Sequence, residues 1–269
     1  MDELHLKNEK LKELLRRCRS VAVAFSGGVD SAFLLQTARD VLGDRCVAVT
    51  AAAAIFPARE AEEAKEFCAS RGIRQEIFSF DALGAENFRD NPPDRCYLCK
   101  RRLFGGILRQ AARLGLACVA DGSNLDDLGD YRPGLQAIAE LGIKSPLREA
   151  GLTKDDIRAL SKELNLPTWN KPSCACLASR FVYGERITEE KLKMIDRAEN
   201  CLADLGFRQR RVRLHGSLAR IEVLPDQIPL AVTFRETIAA ELSKIGFSYA
   251  ALDLRGFRSG SMNETLDKH

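Results

Sequence analysis

Val21-Ala22-Val23-Ala24-Phe25-Ser26-Gly27-Gly28-Val29-Asp30-Ser31 is the stretch on which the fold turns. Five apolar residues in a row, Val21 to Phe25, match a strand buried in a parallel sheet. From Ser31 onward Phe33, Leu34, Leu35 and Ala38 recur at helical spacing. Two glycines, two hydroxyls and a carboxylate separate strand from helix. Glycine lets the backbone turn tightly and approach a ligand closely. A helix N-terminus offers free N–H groups and a positive dipole end to an anion. A strand, loop and helix of this composition cradle phosphate. The loop is neither Gly-x-x-x-x-Gly-Lys-Ser/Thr nor Gly-x-Gly-x-x-Gly.

Outward from this loop the pattern repeats. An amphipathic helix carrying Leu4, Leu11, Leu14 and Leu15 precedes it. After it, residues 46–50 read as a strand, 58–70 as a helix and 75–80 as a strand. Residues 91–94 form a turn, 98–114 a helix and 117–120 a strand. Thr153 is placed to cap a helix through Leu164, with Asp155 and Asp156 in its first turn. Strands alternating with helices predict an α/β domain with a doubly wound parallel sheet over residues 1–170, whose ligands lie at the carboxyl ends of the strands. Beyond Pro167 the pattern changes. Residues 170–187 read as irregular, and Thr188 caps a helix to Leu205. Residues 210–214 and 219–224 form a strand pair, 234–245 a helix and 248–252 a last strand. That order predicts a smaller α+β domain over residues 171–269.

The chain has 269 residues, 45% of them hydrophobic, and a net charge of +3. It is long enough for a sizeable core, and no polybasic footprint points to bulk nucleic-acid binding. No apolar run approaches the roughly 20 residues of a membrane helix. The charged N-terminus lacks a signal-peptide core, so a cytoplasmic protein is expected. Nine cysteines in a reducing compartment are then buried, catalytic or metal-binding rather than disulfide-bonded.

Four constellations carry chemistry. In Lys171-Pro172-Ser173-Cys174-Ala175-Cys176-Leu177-Ala178-Ser179-Arg180, an extended backbone turns both thiols to one side. They suit one shared metal or a single nucleophilic thiolate, with Lys171 and Arg180 favouring the anion. Cys96 and Cys99 form a Cys-x-x-Cys, which is half a zinc site, a redox pair or a helix start with two packed thiols. Between them Tyr97 either stacks on a base or packs. In the Asp121–Gly134 segment, Asp121, Asp126, Asp127 and Asp130 follow a strand, where carboxylates can hold Mg²⁺ on phosphates. Arg211 and Arg213 share one strand face, an arrangement suited to a phosphate monoester or paired carboxylates, or to a solvated basic edge. No Ser/His/Asp arrangement is supported.

SGGVDS resembles the pyrophosphate loop (PP-loop) of enzymes that split ATP into AMP and pyrophosphate, with an adenine nucleotide alpha hydrolase-like fold. Together with DRCYLCKRRLF, DGSNLDDLGDYRPG, SPLREAGLTKDDIR, LPTWNKPSCACLASRFVYGERIT and GFRQRRVRLHGSLARIEV, it resembles the LarE family along nearly the whole chain. The resemblance implies an ATP-dependent sulfur transferase of nickel-pincer nucleotide biosynthesis. Its substrate is pyridinium-3,5-biscarboxylic acid mononucleotide. Each carboxylate is adenylated with ATP and Mg²⁺, then converted to a thiocarboxylate. It implies pyrophosphate on Ser26, Gly27, Gly28, Asp30 and Ser31, nucleotide and Mg²⁺ on Gly122 and Asp127, and substrate phosphate on Arg211 and Arg213. Ser179 and Arg180 would line the acyl site.

Two sulfur sources occur in such a family. One is a sacrificial cysteine that ends as dehydroalanine. The other is a [4Fe–4S] cluster on three cysteines, carrying a transferable sulfide. Cys174 beside Cys176 departs from the single-cysteine pattern and points to a cluster, with Cys201 the nearest third thiol in sequence. In the sacrificial version the donor is Cys176. Homohexamers formed through the smaller domain also follow from the resemblance. The nearest rival is a tRNA-thiolating PP-loop enzyme, which predicts tight, salt-sensitive RNA binding.

Overall fold

The computed structural model describes residues 2–129, 133–258 and 260–262. Asp130, Tyr131, Arg132 and His269 lie outside the described residues. The chain divides into two compact units. The first comprises Met1–Ala53, Arg59–Ala82 and Cys96–Lys171; the second comprises Ala54–Ala58, Leu83–Arg95 and Pro172–His269.

The first unit runs α1 (Glu3–Cys18), β1 (Val21–Ala24), α2 (Val29–Leu42), β2 (Cys46–Ala52), α3 (Ala58–Ser70), β3 (Gln75–Ser79), α4 (Arg95–Arg113), β4 (Cys118–Ala120), α5 (Pro133–Glu140), α6 (Pro146–Ala150) and α7 (Lys154–Glu163). Its four strands are parallel, in the order β3-β2-β1-β4. Alternation along β1 divides the core. Val21 and Val23 pack with Leu11, Leu15, Phe33, Leu34, Leu35 and Leu160 of α1, α2 and α7. Ala22 packs on the opposite face with Phe104, Ile107 and Ala111 of α4 and Ile138 of α5. Helices therefore cover both faces, as the apolar strands require. Each fully buried Phe or Leu contributes about 1.5–3 kcal/mol. Chain order reverses between β1 and β4, and in such sheets the ligand crevice opens at that reversal, outside the strand carboxyl ends. Ser26–Ser31 follows β1 and Asp121–Asn124 follows β4.

Explicit capping chemistry fixes two helix starts where the sequence predicts them. Thr153 caps α7 through a reciprocal capping box with Asp156, and Thr188 caps α8 (Glu189–Asp204). Two helix starts come earlier than expected. α2 opens at Val29, so Asp30 and Ser31 lie inside its first turn. α4 opens at Arg95 and includes both Cys96 and Cys99. The short helices α5 and α6 were not anticipated from sequence.

In the second unit α8, β5 (Arg210–His215), β6 (Leu218–Val223), α9 (Ile228–Thr233), α10 (Arg235–Ile245) and β7 (Tyr249–Leu252) form an α+β arrangement. Its sheet order is β5-β6-β7, antiparallel then parallel. The single helix expected over residues 234–245 is preceded by α9, with Phe234 between the two. No helix among the described residues is long and apolar enough to cross a membrane.

Candidate active site

The first unit's candidate site is built on the N-terminus of α2. Gly28 is the N-cap and no side chain caps the helix, so its first N–H groups are available to an anion. A hydroxyl pair frames them: Ser26 Oγ and Ser31 Oγ are 3.1 Å apart, and Ser31 Oγ donates to Gly28 O at 3.1 Å. Gly27 turns the loop at φ +74°, and a Cβ there would lie 3.3 Å from Ala64 Cβ and 3.4 Å from Glu60 O of α3. Gly27→Ala is expected to destabilise the unit by about 1–2 kcal/mol from the left-handed backbone alone, read as a lower urea midpoint with an unchanged slope.

The other wall is the turn after β4. A Cβ on Gly122 would approach Ser31 N to 3.1 Å, so glycine is what lets this turn lie against α2. Asn124 ties the turn together. Its Nδ2 donates to Asp30 Oδ1 at 3.2 Å, and its backbone N–H donates to Asp127 Oδ2 at 3.0 Å. Asp121 is buried and accepts from Ser145 Oγ at 2.7 Å and from Ser123 Oγ. Asp126 accepts from the Lys154 N–H at 2.8 Å, so it anchors α7 instead of lying free in solvent.

Two lysines complete this end of the sheet. Lys154 Nζ lies 2.5 Å from Asp30 Oδ2, which brings an ammonium to the phosphate loop. Lys171 Nζ donates to Gly27 O at 3.0 Å and pairs with Glu60 and Glu63 of α3 at 2.5 and 2.6 Å. Burial pulls the Lys171 pKa down, but the two carboxylates outweigh burial and hold it above its ordinary value. Lys171 was expected to favour a cysteine thiolate; its charge is instead neutralised by Glu60 and Glu63 while it fixes the loop carbonyl. Sequence reasoning missed Asn124, Lys154, Glu60 and Glu63. A signal existed for Lys154, since a cation in the first turn of a helix opposes the dipole and needs another reason to be there.

The second unit carries the thiol loop. Cys174 is exposed and Cys176 half-buried. A 3-10 turn over Leu177–Arg180 follows, with Ser179 Oγ donating to Cys176 O at 2.8 Å. The Leu177 N–H donates to Ile55 O at 2.8 Å. Arg180 is completely buried. Its Nε and Nη2 form a two-point pair with Glu199 at 2.8 and 2.7 Å, and its Nη1 donates to Ala175 O at 2.8 Å, Cys176 O at 3.1 Å and Ser179 Oγ at 2.9 Å. Arg211 donates to Ser173 O and stacks over Phe257. Arg213 donates to Ser179 O at 3.0 Å, pairs with Glu222 at 2.8 Å and reaches Ser261 Oγ at 3.1 Å. Arg95 takes Ala178 O at 3.0 Å. The carbonyls flanking both thiols are thus held by guanidiniums, whose forked donors suit several acceptors at once.

These contacts change the expected division of labour. Arg180 supports the loop from within, so it is a positioning residue. Arg211 and Arg213 do share one face of β5, but both are buried and committed to loop carbonyls, with Arg213 also on Glu222. They do not form a solvated basic edge. Burial and the nearby Arg180 charge lower the Arg211 pKa to about 10. Cys201 is half-buried on α8, where burial and then the Glu241 and Asp204 carboxylates push its thiol up. Among the described residues no three His, Cys, Asp or Glu side chains gather as a metal site, so Cys201 does not join Cys174 and Cys176. In the first unit Cys96 is exposed and Cys99 half-buried on α4, and Tyr97 Oη donates to Glu140 Oε2 at 2.8 Å.

A parallel sheet with a Ser-Gly-Gly-Val-Asp-Ser loop at its strand-order reversal defines a PP-loop protein. No family model matches the chain. The chain is 39% identical, over 100% of its length and 98% of the relative's, to pyridinium-3,5-bisthiocarboxylic acid mononucleotide synthase of Lactiplantibacillus plantarum. It is 42% identical to an uncharacterized protein of Synechocystis sp., over 98% of this chain and 100% of that one. A tRNA-specific 2-thiouridylase of Desulforamulus reducens is 27% identical over 57% of this chain and 53% of its own. The chain belongs to the LarE family of PP-loop sulfur transferases.

Proposed function

We propose that this protein adenylates the carboxylates of pyridinium-3,5-biscarboxylic acid mononucleotide at the PP-loop and converts them to thiocarboxylates with sulfur from the Cys174–Cys176 loop. The observation that carries the reading is one chain holding both an uncapped helix N-terminus at a sheet reversal and two thiols on a guanidinium-held loop. Full-length similarity to the Lactiplantibacillus synthase supports the substrate class.

A carboxylate resists attack because oxide would have to leave. Joined to AMP it has a good leaving group, and a thiolate is then a competent nucleophile. Ser26, Gly27, Gly28 and Ser31 receive the pyrophosphate through α2 N–H groups and hydroxyls. Asp30 and Asp127, joined through Asn124, are oxygen donors of the kind Mg²⁺ takes and would hold it, neutralising phosphate charge. Gly122 keeps the opposite wall close, and Ser179 and Arg180 shape the acyl side.

A [4Fe–4S] cluster on three cysteines does not fit the Cys174, Cys176 and Cys201 set, because these thiols do not gather. Cys176 is the donor, with Cys174 as its neighbouring thiol: the Cys176 thiolate displaces AMP to form a thioester, and loss of the Cys176 α-proton with cleavage of its Cβ–Sγ bond then releases the thiocarboxylate and leaves dehydroalanine. After turnover the intact protein should be lighter by about 34 Da, one H₂S. Labile iron and sulfide in anaerobic protein, with no mass loss on turnover, would overturn it. Self-association is assigned to the smaller unit, whose edge strand β7 exposes Tyr249, Ala250 and Ala251, an unpaired edge of the kind that pairs with another chain. Light scattering that finds a monomer would remove that assignment.

The test of the reading is incubation with ATP, magnesium and the dicarboxylated mononucleotide. AMP, pyrophosphate and thioacid should appear together. Asp30→Ala should reduce AMP formation by about 10²-fold or more, the scale for losing a group that orients or stabilises charge in a transition state. The variant should retain the fold by circular dichroism. AMP formed only with tRNA as acceptor would replace this reading with RNA thiolation.

A further inference from the structure

Two cysteines far apart in sequence, Cys18 and Cys118, lie at the end of the sheet opposite the phosphate loop. Cys18 ends α1, and Cys118 opens β4. β1 begins at Val21, which sits directly beside Cys118 in the parallel ladder, so chain topology alone brings the end of α1 to the start of β4. Ser20 fastens the junction. Its N–H donates to Cys18 O at 2.7 Å, its Oγ accepts from the Ala117 N–H at 2.9 Å, and its O lies 3.5 Å from Cys118 Sγ. Both side chains pack against the same core cluster. Both are half-buried. Arg19, between Cys18 and Ser20, holds φ +61°, an uncommon conformation for a residue with a side chain.

We propose that Cys18 and Cys118 are a reversible dithiol modification site, closed to a disulfide by small-molecule disulfides. The Cys18 thiolate attacks one sulfur of the oxidant R–S–S–R, forming Cys18–S–S–R and releasing R–S⁻, which takes up a proton. The Cys118 thiol then attacks Cys18 Sγ, gives up its proton and releases R–SH. Two protein thiols lose two electrons and two protons, and one oxidant disulfide becomes two thiols. Which thiol attacks first follows from the surroundings. The hydrogen bond from Cys118 lowers the Cys18 pKa to about 7, burial opposes this, Lys144 assists and Glu149 resists. The same contact, with burial, raises Cys118, so Cys118 is the resolving thiol. The remaining buried thiols, Cys46 and Cys68, are pushed up to about 12 by burial and act as internal controls.

The bond matters because β4 is only three residues long and runs straight into Asp121, Gly122 and Asn124. Closing it pins the entry of a strand whose exit holds Asp30. It also ties residues a hundred positions apart, the case in which a cross-link most restricts the unfolded chain.

The experiment treats the full chain with oxidised glutathione at pH 7.5, then digests it without reductant for mass spectrometry. The expected result is a cross-linked peptide pair holding Cys18 and Cys118, with Cys46 and Cys68 still reduced. The melting temperature should rise by several degrees and return when dithiothreitol is added. Cys118→Ala should stop at a stable glutathione adduct on Cys18, forming more slowly at pH 7 than the wild-type adduct because the hydrogen bond that lowers the Cys18 pKa is gone. Wild-type chain in which Cys18 and Cys118 stay reduced, or in which the Cys18 adduct persists beside a free Cys118, would overturn the proposal.

Discussion

Cys176→Ser should stop thioacid formation while leaving AMP and pyrophosphate release intact in the first turnover. The reason is division of labour between separate side-chain sets. The α2 N-terminus, Ser26, Ser31, Asp30 and Lys154 belong to the first unit, and Cys174 and Cys176 to the second. A serine hydroxyl at position 176 is far less nucleophilic than a thiolate at neutral pH and has no sulfur to give. Thioacid should therefore fall to background, whereas acyl-adenylate should form and then hydrolyse or persist. Cys174→Ser is the informative comparison. If Cys174 only neighbours the donor, its loss should slow transfer and leave the mass change of about 34 Da in place. Quenched-flow measurement of AMP, with intact mass of the same samples, checks both. A Cys176→Ser enzyme that still yields thioacid would move the sulfur source elsewhere.

The phosphate loop was legible in sequence because its parts are contiguous. Strand, Gly-Gly turn and helix start fall within eleven residues, and each has a local physical signature. The partners that hold it were not legible, because they arrive from far along the chain. Asn124 is 94 residues from Asp30, Lys154 is 124 residues away, and Lys171 is 144 residues from Gly27. No periodicity links such positions. The arginines of β5 illustrate a different limit. Alternation correctly put Arg211 and Arg213 on one face, but it is silent on what covers that face. The structure covers it with the backbone of the thiol loop and with Glu222. Glu199 escaped notice for the same reason, since its pairing with Arg180 spans a 3-10 turn and α8. Cys201 illustrates a third limit. Nearness in sequence suggested a shared centre with Cys174 and Cys176, and helix α8 carries it elsewhere.

Arg180→Ala should be the most destabilising single change in the second unit, by about 3–5 kcal/mol, the cost of leaving a buried charge without its partner. Arg180 is 0% exposed and the Glu199 side chain 9%. Removing the guanidinium leaves Glu199 with the Val212 N–H at 2.9 Å and the more distant charge of Arg211. It also frees the carbonyls of Ala175 and Cys176, so the thiol loop loses its floor. Arg180→Lys separates the two effects. An ammonium keeps the positive charge but cannot form a two-point pair and reach two carbonyls together, so much of the stability should return while sulfur transfer stays slow and AMP formation stays normal. An acid limb provides a third readout. Burial raises the Glu199 pKa, but Arg180, Arg211 and the Val212 N–H outweigh it and hold the carboxyl below its ordinary 4.5. A depressed carboxyl stabilises the fold above its unfolded pKa and loses that contribution as pH falls through the folded value. Urea midpoints for the wild type should therefore decline below about pH 4.5, and the part of that decline due to Glu199 should vanish in Arg180→Ala. An unchanged acid limb in that variant would show that the pair does not govern the unit's stability, and would leave Arg180 with its loop carbonyls alone.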